Sequence, residues 1–167
     1  FVARVTDMSV VASDSVDAIF SSHNLEHLFP HEVPLALNEF IRVLKPDGVA
    51  VIVCPDLLAA CELVAQDKLT EPAYTAKAGL VSPLDIIYGP RAALAAGHLS
   101  MARRCGFTPK VLAGSLKRAG FTTVGVIQRR PVFDLWALAS RKKMDEQEFR
   151  DLAKIHVPPV PQTQVKE

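Results

Sequence analysis

The sequence predicts an α/β domain built on a mostly parallel sheet with an antiparallel edge strand. Three observations predict it. Val49–Cys54 reads VAVIVC, apolar at consecutive positions and so on both faces, as a strand covered by two layers requires. Strand-like runs alternate with segments of helical periodicity through the first two thirds of the chain. Near the other end, Thr122–Gln128 and Phe133–Ala139 are two strands separated by the polar corner Arg129-Arg130-Pro131, as in an antiparallel pair.

Taken in order, Phe1–Thr6 reads as a short strand with Asp7 at its end, because Phe, two Val and Thr fall within six residues. Ser13, Asp14, Ser15 and Asp17 make a polar turn. Val16 and Ala18-Ile19-Phe20 then form an apolar run too brief for a helix and suited to a buried strand. Between Pro34 and Leu44 the residues Leu37, Phe40, Ile41 and Leu44 recur at helical spacing, with Pro34 in the first turn and Pro46 just beyond the end. Lys45-Pro46-Asp47-Gly48 is a turn. Pro55 and Asp56 stop the VAVIVC strand, and Leu57–Gln66 is the helix that follows.

Residues 68–106 carry Pro72, Pro83, Pro90, Gly79, Gly89, Gly97 and Gly106, and are expected as a loop-rich insertion of functional use. Thr108 caps a helix that begins at Pro109, shows an apolar stripe at Leu112, Leu116 and Ala119, and closes at Gly120. Met144–His156 is a last helix, supported by Glu146 and Arg150 one turn apart. The domain is therefore expected over residues 1–156, with 157–167 a disordered tail.

Nineteen Lys and Arg against eighteen Asp and Glu leave a net charge of +1, too little for a nucleic-acid surface or an anionic membrane. Apolar runs of about six residues are far short of the ~18–20 that a membrane span needs. No signal-peptide pattern stands at the start, and three widely spaced cysteines (Cys54, Cys61, Cys105) suit reduced thiols, so a cytoplasmic location is expected. The first residue is Phe1, which marks either a piece of a longer chain or a start that has been removed.

In sheets of this kind ligands bind beyond the carboxyl ends of the strands, which directs attention to Asp7, Ser21-Ser22-His23 and Cys54-Pro55-Asp56. The run "SVDAIFSSHNLEHL" followed by "ALNEFIRVLKPDGVAVIVCPD" resembles the class I, Rossmann-like S-adenosylmethionine-dependent methyltransferases from their third strand onward. "GFTPKVLAGSLKRAGF" and "FDLWALASRK" are similar to the closing helix and final antiparallel strand of that family, and "PLDIIYG" with "GHLSMARRCGF" to a small bacterial subgroup of it. The resemblance covers nearly all of residues 1–140. It implies methyl transfer from S-adenosylmethionine to an acceptor that the sequence does not identify. It also implies that Asp7 and Met8 meet the adenine, and that Ser21, Ser22 and His23 line the methionine and sulfonium end. A carboxylate is acceptor-only and matches an exocyclic amine, whereas the plain reading of Asp7 is an Asx turn.

The resemblance has one serious departure. The family's glycine-rich first loop and the acid after its second strand have no counterpart, since the earliest glycine is Gly48 and no two glycines stand at i, i+2. The chain therefore reads as N-terminally truncated. Three lost charge-assisted hydrogen bonds at ~1.5–3 kcal/mol each weaken a micromolar ligand to millimolar or worse, so weak cofactor binding is expected.

The residues themselves admit other chemistry. His23-Asn24-Leu25-Glu26-His27 fits H-x-x-E-H, but a zinc site needs that motif inside a helix and a further ligand. A divalent-metal set of His23, Glu26 and His27 is a weaker variant. The preferred reading is that Glu26 and His27 orient the following helix, with no metal. Tyr88 and His98, in the insertion, are candidates with His23 for deprotonating or positioning an acceptor. Arg103-Arg104 reads either as a pair that meets an anionic substrate or, preferred, as a solvated helix face, and Cys54 as a buried apolar residue. A rival class is a non-catalytic module that pairs with a second copy through an open sheet edge, as a homodimer or scaffold.

Overall fold

The computed structural model describes residues 3–77 and 79–159. Strand β1 (Val16–Ser22) is followed by a 3-10 turn at Leu25–His27, helix α1 (Val33–Val43) and the long strand β2 (Leu44–Pro55). β1 and β2 pair in parallel, with Ala18 opposite Val49 and Ser22 opposite Val53. The pairing breaks between Val16, opposite Leu44, and Ala18. The intervening Lys45-Pro46-Asp47-Gly48 is thereby looped out of register, where the sequence suggested a separate turn. A Cβ on Gly48 would stand 2.9 Å from the Lys45 carbonyl oxygen and from Leu44 Cδ2, so only glycine lets the chain re-enter the sheet there.

Helix α2 (Leu57–Val64) starts on Asp56, whose side chain accepts the Ala59 N–H. The insertion is more ordered than its proline and glycine content suggested. It folds as a hairpin, β3 (Tyr74–Ala76) with β4 (Gly79–Val81), then the short helices α3 (Pro83–Tyr88) and α4 (Arg91–Ala95) and a 3-10 turn at Leu99–Met101. Helix α5 (Pro109–Ala119) has the expected Thr108 cap and a left-handed Gly120 at its end. β5 (Thr123–Arg129), β6 (Asp134–Ser140) and α6 (Glu146–His156) complete the chain.

The sheet order is β1-β2-β6-β5. β6 runs antiparallel to both neighbours, so β1, β2 and β5 share a direction. Three of the four strands run in one direction as expected, but the reversed strand lies one place in from the edge rather than at it, so only the β1–β2 pairing is parallel. β6 follows β5 by a tight corner, and a hairpin return can only lie beside the strand it leaves; it takes the slot between β5 and β2.

The apolar character of β2 on both faces is used in full. Ala50, Ile52 and Cys54 face one layer, where Leu37 and Phe40 of α1 meet Leu112 and Leu116 of α5. Val49 and Val51 face the other, where Phe149 and Leu152 of α6 pack with Trp136 and Leu138.

One expectation changes at the start of the chain. Ala3–Thr6 form no strand: Arg4 pairs only with Asp7 across a tight turn, because no neighbouring strand offers this segment a ladder. Phe1 and Val2 lie outside the described residues, as does the expected tail from residue 160 onward; Val157, Pro158 and Pro159 carry no helix or strand.

Candidate functional site

The carboxyl ends of β1 and β2 open toward the insertion. β1 ends at Ser22, and His23 turns the chain with φ +50°, while its N–H still donates to the Val53 carbonyl at 2.9 Å. Left-handed backbone in a residue with a branched ring is uncommon and marks a place where tertiary contacts override local preference. Leu25 and Glu26 follow, both fully buried. The Glu26 carbonyl accepts the N–H groups of Arg104 (2.8 Å) and Cys105 (3.2 Å), and the Leu25 carbonyl accepts the Cys105 thiol (3.2 Å). The strand end and residues 102–105 of the insertion are therefore tied backbone to backbone.

Within that frame His23 Nδ1 lies 3.1 Å from Glu26 Oε1. His23 is half exposed (51%) and Glu26 is not (1%). Facing a carboxylate, Nδ1 of the neutral ring carries the proton and leaves Nε2 as the acceptor. Glu26 Oε2 is buried and has no hydrogen-bond partner. Arg103 enters from the other side. Its Nη1 donates to the carbonyls of Asp85 and Ile86, while its Nε is buried without a partner. Burial pulls the Arg103 guanidinium down from its ordinary range and the Glu26 charge opposes this. Burial likewise raises the Tyr74 phenol.

Two cavities flank Arg103. One, of about 190 Å3, is lined by His23, Tyr74, Arg103 and Phe133. The other, of about 220 Å3, has Glu26, Tyr88, Arg103 and Arg104 in its wall. Pro55, Ile86 and Arg103 are common to both. Larger grooves lie between α1 and α5 (about 410 Å3) and beneath α6 (about 510 Å3), but their walls contain no carboxylate and no imidazole. The strand-end cavities hold the chemistry.

Asp7 and Met8 are elsewhere. The Met8 N–H donates to Glu39 and its carbonyl accepts from Arg42, both in the last two turns of α1. The same turns receive the chain as it enters β1, through Asp14 and Ser15. At ~3.3 Å per residue the seven residues of β1 put its two ends about 20 Å apart. Asp7 Oδ1 accepts the Ser9 N–H, the Asx turn of the plain reading. The structure thus does not bring Asp7 and Met8 to the Ser21–His23 end, because their segment, lacking a strand to pair with, is held by the Arg42 guanidinium instead.

Ser21 is buried with an unpartnered hydroxyl and Ser22 is exposed. Tyr88 reaches the rim of the larger strand-end cavity with its side chain mostly in solvent. His98 is exposed and lines neither cavity, since the α4 turn carries it outward. His27 Nδ1 donates to the Ala102 carbonyl (3.0 Å) and does not join His23 and Glu26, and among the described residues no three His, Cys, Asp or Glu side chains converge as a metal set. Asp56 is spent on structure, capping α2 and accepting from Gln128 at 2.7 Å. The solvated-face expectation for Arg103 fails, whereas Arg104 does stay exposed, its guanidinium 4.6 Å over the Phe29 ring. No spacing rule distinguishes two adjacent arginines in a loop; only the path of the insertion does.

The fold has known counterparts. The methyltransferase domain family matches residues 1–52, less than a third of the chain. A Thermotoga maritima S-adenosylmethionine-dependent methyltransferase superposes with a TM-score of 0.51 at 14% identity, over 84% of this chain and 62% of its own. One from Archaeoglobus fulgidus gives 0.50 at 14% identity over 83% and 65%. The fold is that of the class I, Rossmann-like methyltransferases. A Bordetella parapertussis protein described as a possible exported protein also superposes (TM-score 0.53, 17% identity, over 84% of this chain and 43% of its own). The chain thus spans between 43% and 65% of these relatives' lengths. No curated protein matches it. Among the described residues no helix is long and apolar enough to cross a membrane.

Proposed function

We propose that the chain is the acceptor-side part of an S-adenosylmethionine-dependent methyltransferase, with His23 as the base that takes the acceptor's proton and Glu26 as the residue that orients it. The observation that carries this reading is the His23 Nδ1–Glu26 Oε1 bond at the end of β1, which presents Nε2 beside a cavity in a fold used for methyl transfer. When bound, S-adenosylmethionine supplies an electrophilic methyl group on a sulfonium. The residues fit its methionine end: the unpartnered Ser21 hydroxyl, Ser22 and His23 line the strand end that would hold it. The adenine end finds no such cradle, since Asp7 and Met8 lie at the far end of β1. Weak binding follows.

Within this site the chain's own work is positioning and one proton. Glu26 fixes the imidazole tautomer from a fully buried place. His23 Nε2 accepts a proton from a hydroxyl or amine seated in the cavity. Pro55, Ile86 and Phe133 keep the walls apolar.

Thermal unfolding in millimolar S-adenosylhomocysteine tests the reading. The melting temperature is expected to rise with ligand concentration as linkage requires, and a His23→Ala chain is expected to respond less. No rise at tens of millimolar ligand, above the weak affinity expected, sinks it.

A second reading is favoured by one observation. β1 is an edge strand whose Phe20 is 67% exposed, so the chain could be a non-catalytic module that pairs with a second copy along β1. A single-chain mass by light scattering at high protein concentration would exclude it.

A further inference from the structure

The groove between α1 and α5 has a wall of a different kind from the strand-end cavities. Both helices descend the same face of the sheet, α1 into the start of β2 and α5 toward the start of β5. Their buried residues Leu37, Leu112 and Leu116 belong to one core. Outside that core the helices leave a space of about 410 Å3, within the roughly 300–1,000 Å3 usual for a ligand pocket. Its upper wall is apolar, with Val33, Pro34, Leu37, Phe107 and Val111. Val111 is 46% exposed, a large apolar side chain open to the groove. The lower end narrows, since a Cβ on Gly120 would stand 3.9 Å from Ile41 Cδ1.

Polar groups gather lower in the same wall: Asn38 from α1, and Ser115 and Arg118 from α5. Arg118 is in the last turn of α5, where a cation commonly donates to the free carbonyls of its own helix. Here the side chain turns back instead. Its Nη2 donates to the Ser115 hydroxyl at 3.2 Å, and a Cβ on Gly114 would stand 3.4 Å from its Nη1. That hydroxyl is its one hydrogen-bond partner among the described residues. No acidic residue lines the groove, so the guanidinium, the amide and the hydroxyl are three donors with no anion between them. Along α5 the wall runs from Val111 to Ala119, about 12 Å at 1.5 Å per residue.

We propose that this groove binds a free medium-chain acyl carboxylate, its carboxylate on Arg118 and its chain lying up the groove against Val33, Leu37 and Val111. Charge selects the occupant. An anion gives Arg118 the partner that the chain does not supply, a neutral molecule leaves the guanidinium unpaired, and a cation is repelled by it. The chain length follows from the length of the wall.

The test is equilibrium binding of octanoate, hexanoate, 1-octanol and octylammonium to the full chain, with amide NMR shifts locating the ligand. Octanoate is expected to bind roughly three- to tenfold tighter than 1-octanol, the modest gain of a charge-assisted contact that is open to water on one side. Octylammonium should bind more weakly than the alcohol. Hexanoate, two methylenes shorter, should bind up to about fifteenfold more weakly than octanoate. Arg118→Gln should lower octanoate to the affinity of the alcohol and leave the alcohol unchanged. Ala119→Leu fills the groove and should weaken all four ligands. The ligand comparison stands on the unaltered protein even if that variant misfolds. Equal affinity for octanoate and 1-octanol, a preference for octylammonium, no binding at millimolar concentration, or shifts confined to the strand ends each overturn the proposal. So does a mass that doubles with protein concentration and returns to one chain in Ala119→Leu, which would give the groove to a second copy. The proposal does not rest on the methyltransferase reading: its failure beside a positive S-adenosylhomocysteine result leaves methyl transfer standing, and the converse leaves a carboxylate site alone.

Discussion

At the scale of single residues, neighbours in sequence meet opposite environments. Arg103 is largely enclosed and Arg104 is exposed. The three cysteines divide in the same way. Cys54 is fully buried, and burial pushes its thiol well up; burial together with the Glu26 charge raises Cys105 to about 11; Cys61 is on an exposed helix face. Thiolate is the reactive form, so a thiol reagent at pH 8 is expected to modify Cys61 quickly and the other two only on unfolding. Counting modified thiols over time, native and in denaturant, checks this. Two fast thiols in the native protein would mean that Cys54 or Cys105 is accessible where the structure encloses it.

At the scale of elements, α6 is held on the sheet by a glycine. A Cβ on Gly125 in β5 would stand 2.7 Å from Phe149 Cε1, so Gly125 is the hollow that seats the ring. Gly125→Ala is expected to cost about 1 kcal/mol by overpacking. In a Phe149→Ala chain the clash is gone and the same change should stabilise by up to ~1 kcal/mol, because alanine loses less conformational freedom than glycine in a strand. Urea unfolding of the four chains reads the sign. An equal effect of Gly125→Ala in both backgrounds would show that ring and glycine do not meet.

At the scale of the whole molecule, the insertion is organised by one carboxylate. Asp85 accepts from the Ser82 amide and hydroxyl and from the Arg91 amide and guanidinium, clamping α3 to α4 beside Arg103. The Arg91 hydrogen bond, aided by Ser82, holds the Asp85 carboxyl well below the usual range. Its folded pKa lies below the unfolded ~3.9, so the stability it contributes is present above that pH and is lost as pH falls. Arg91 is about half exposed, which trims the gain. Asp85→Asn is expected to cost about 1–2 kcal/mol at neutral pH, with the gap to the parent closing below ~pH 4. Denaturant unfolding at both pH values checks it; a gap that persists in acid would place the contribution in packing rather than charge.

The sequence by itself determined helices α1, α2, α5 and α6, the two ends of α5 and the double-faced strand, but not the hairpin and short helices of the insertion. Periodicity, Thr108-Pro109, Gly120 and VAVIVC each answer to interactions within a few residues or to burial on a whole face. It also pointed to His23 as a strand-end residue, through the run that resembles a methyltransferase. It misplaced Ala3–Thr6, because a strand exists only where another strand offers its amides, and it placed the reversed strand at the edge because pairing order is not a local property. Only the tertiary structure decided which arginine is buried, that Glu26 keeps a free oxygen there, and that Asp7 stays at the far end of β1. Those three facts depend on chain segments between 17 and 80 residues apart coming into contact, and separation of that kind leaves no mark on local composition or spacing.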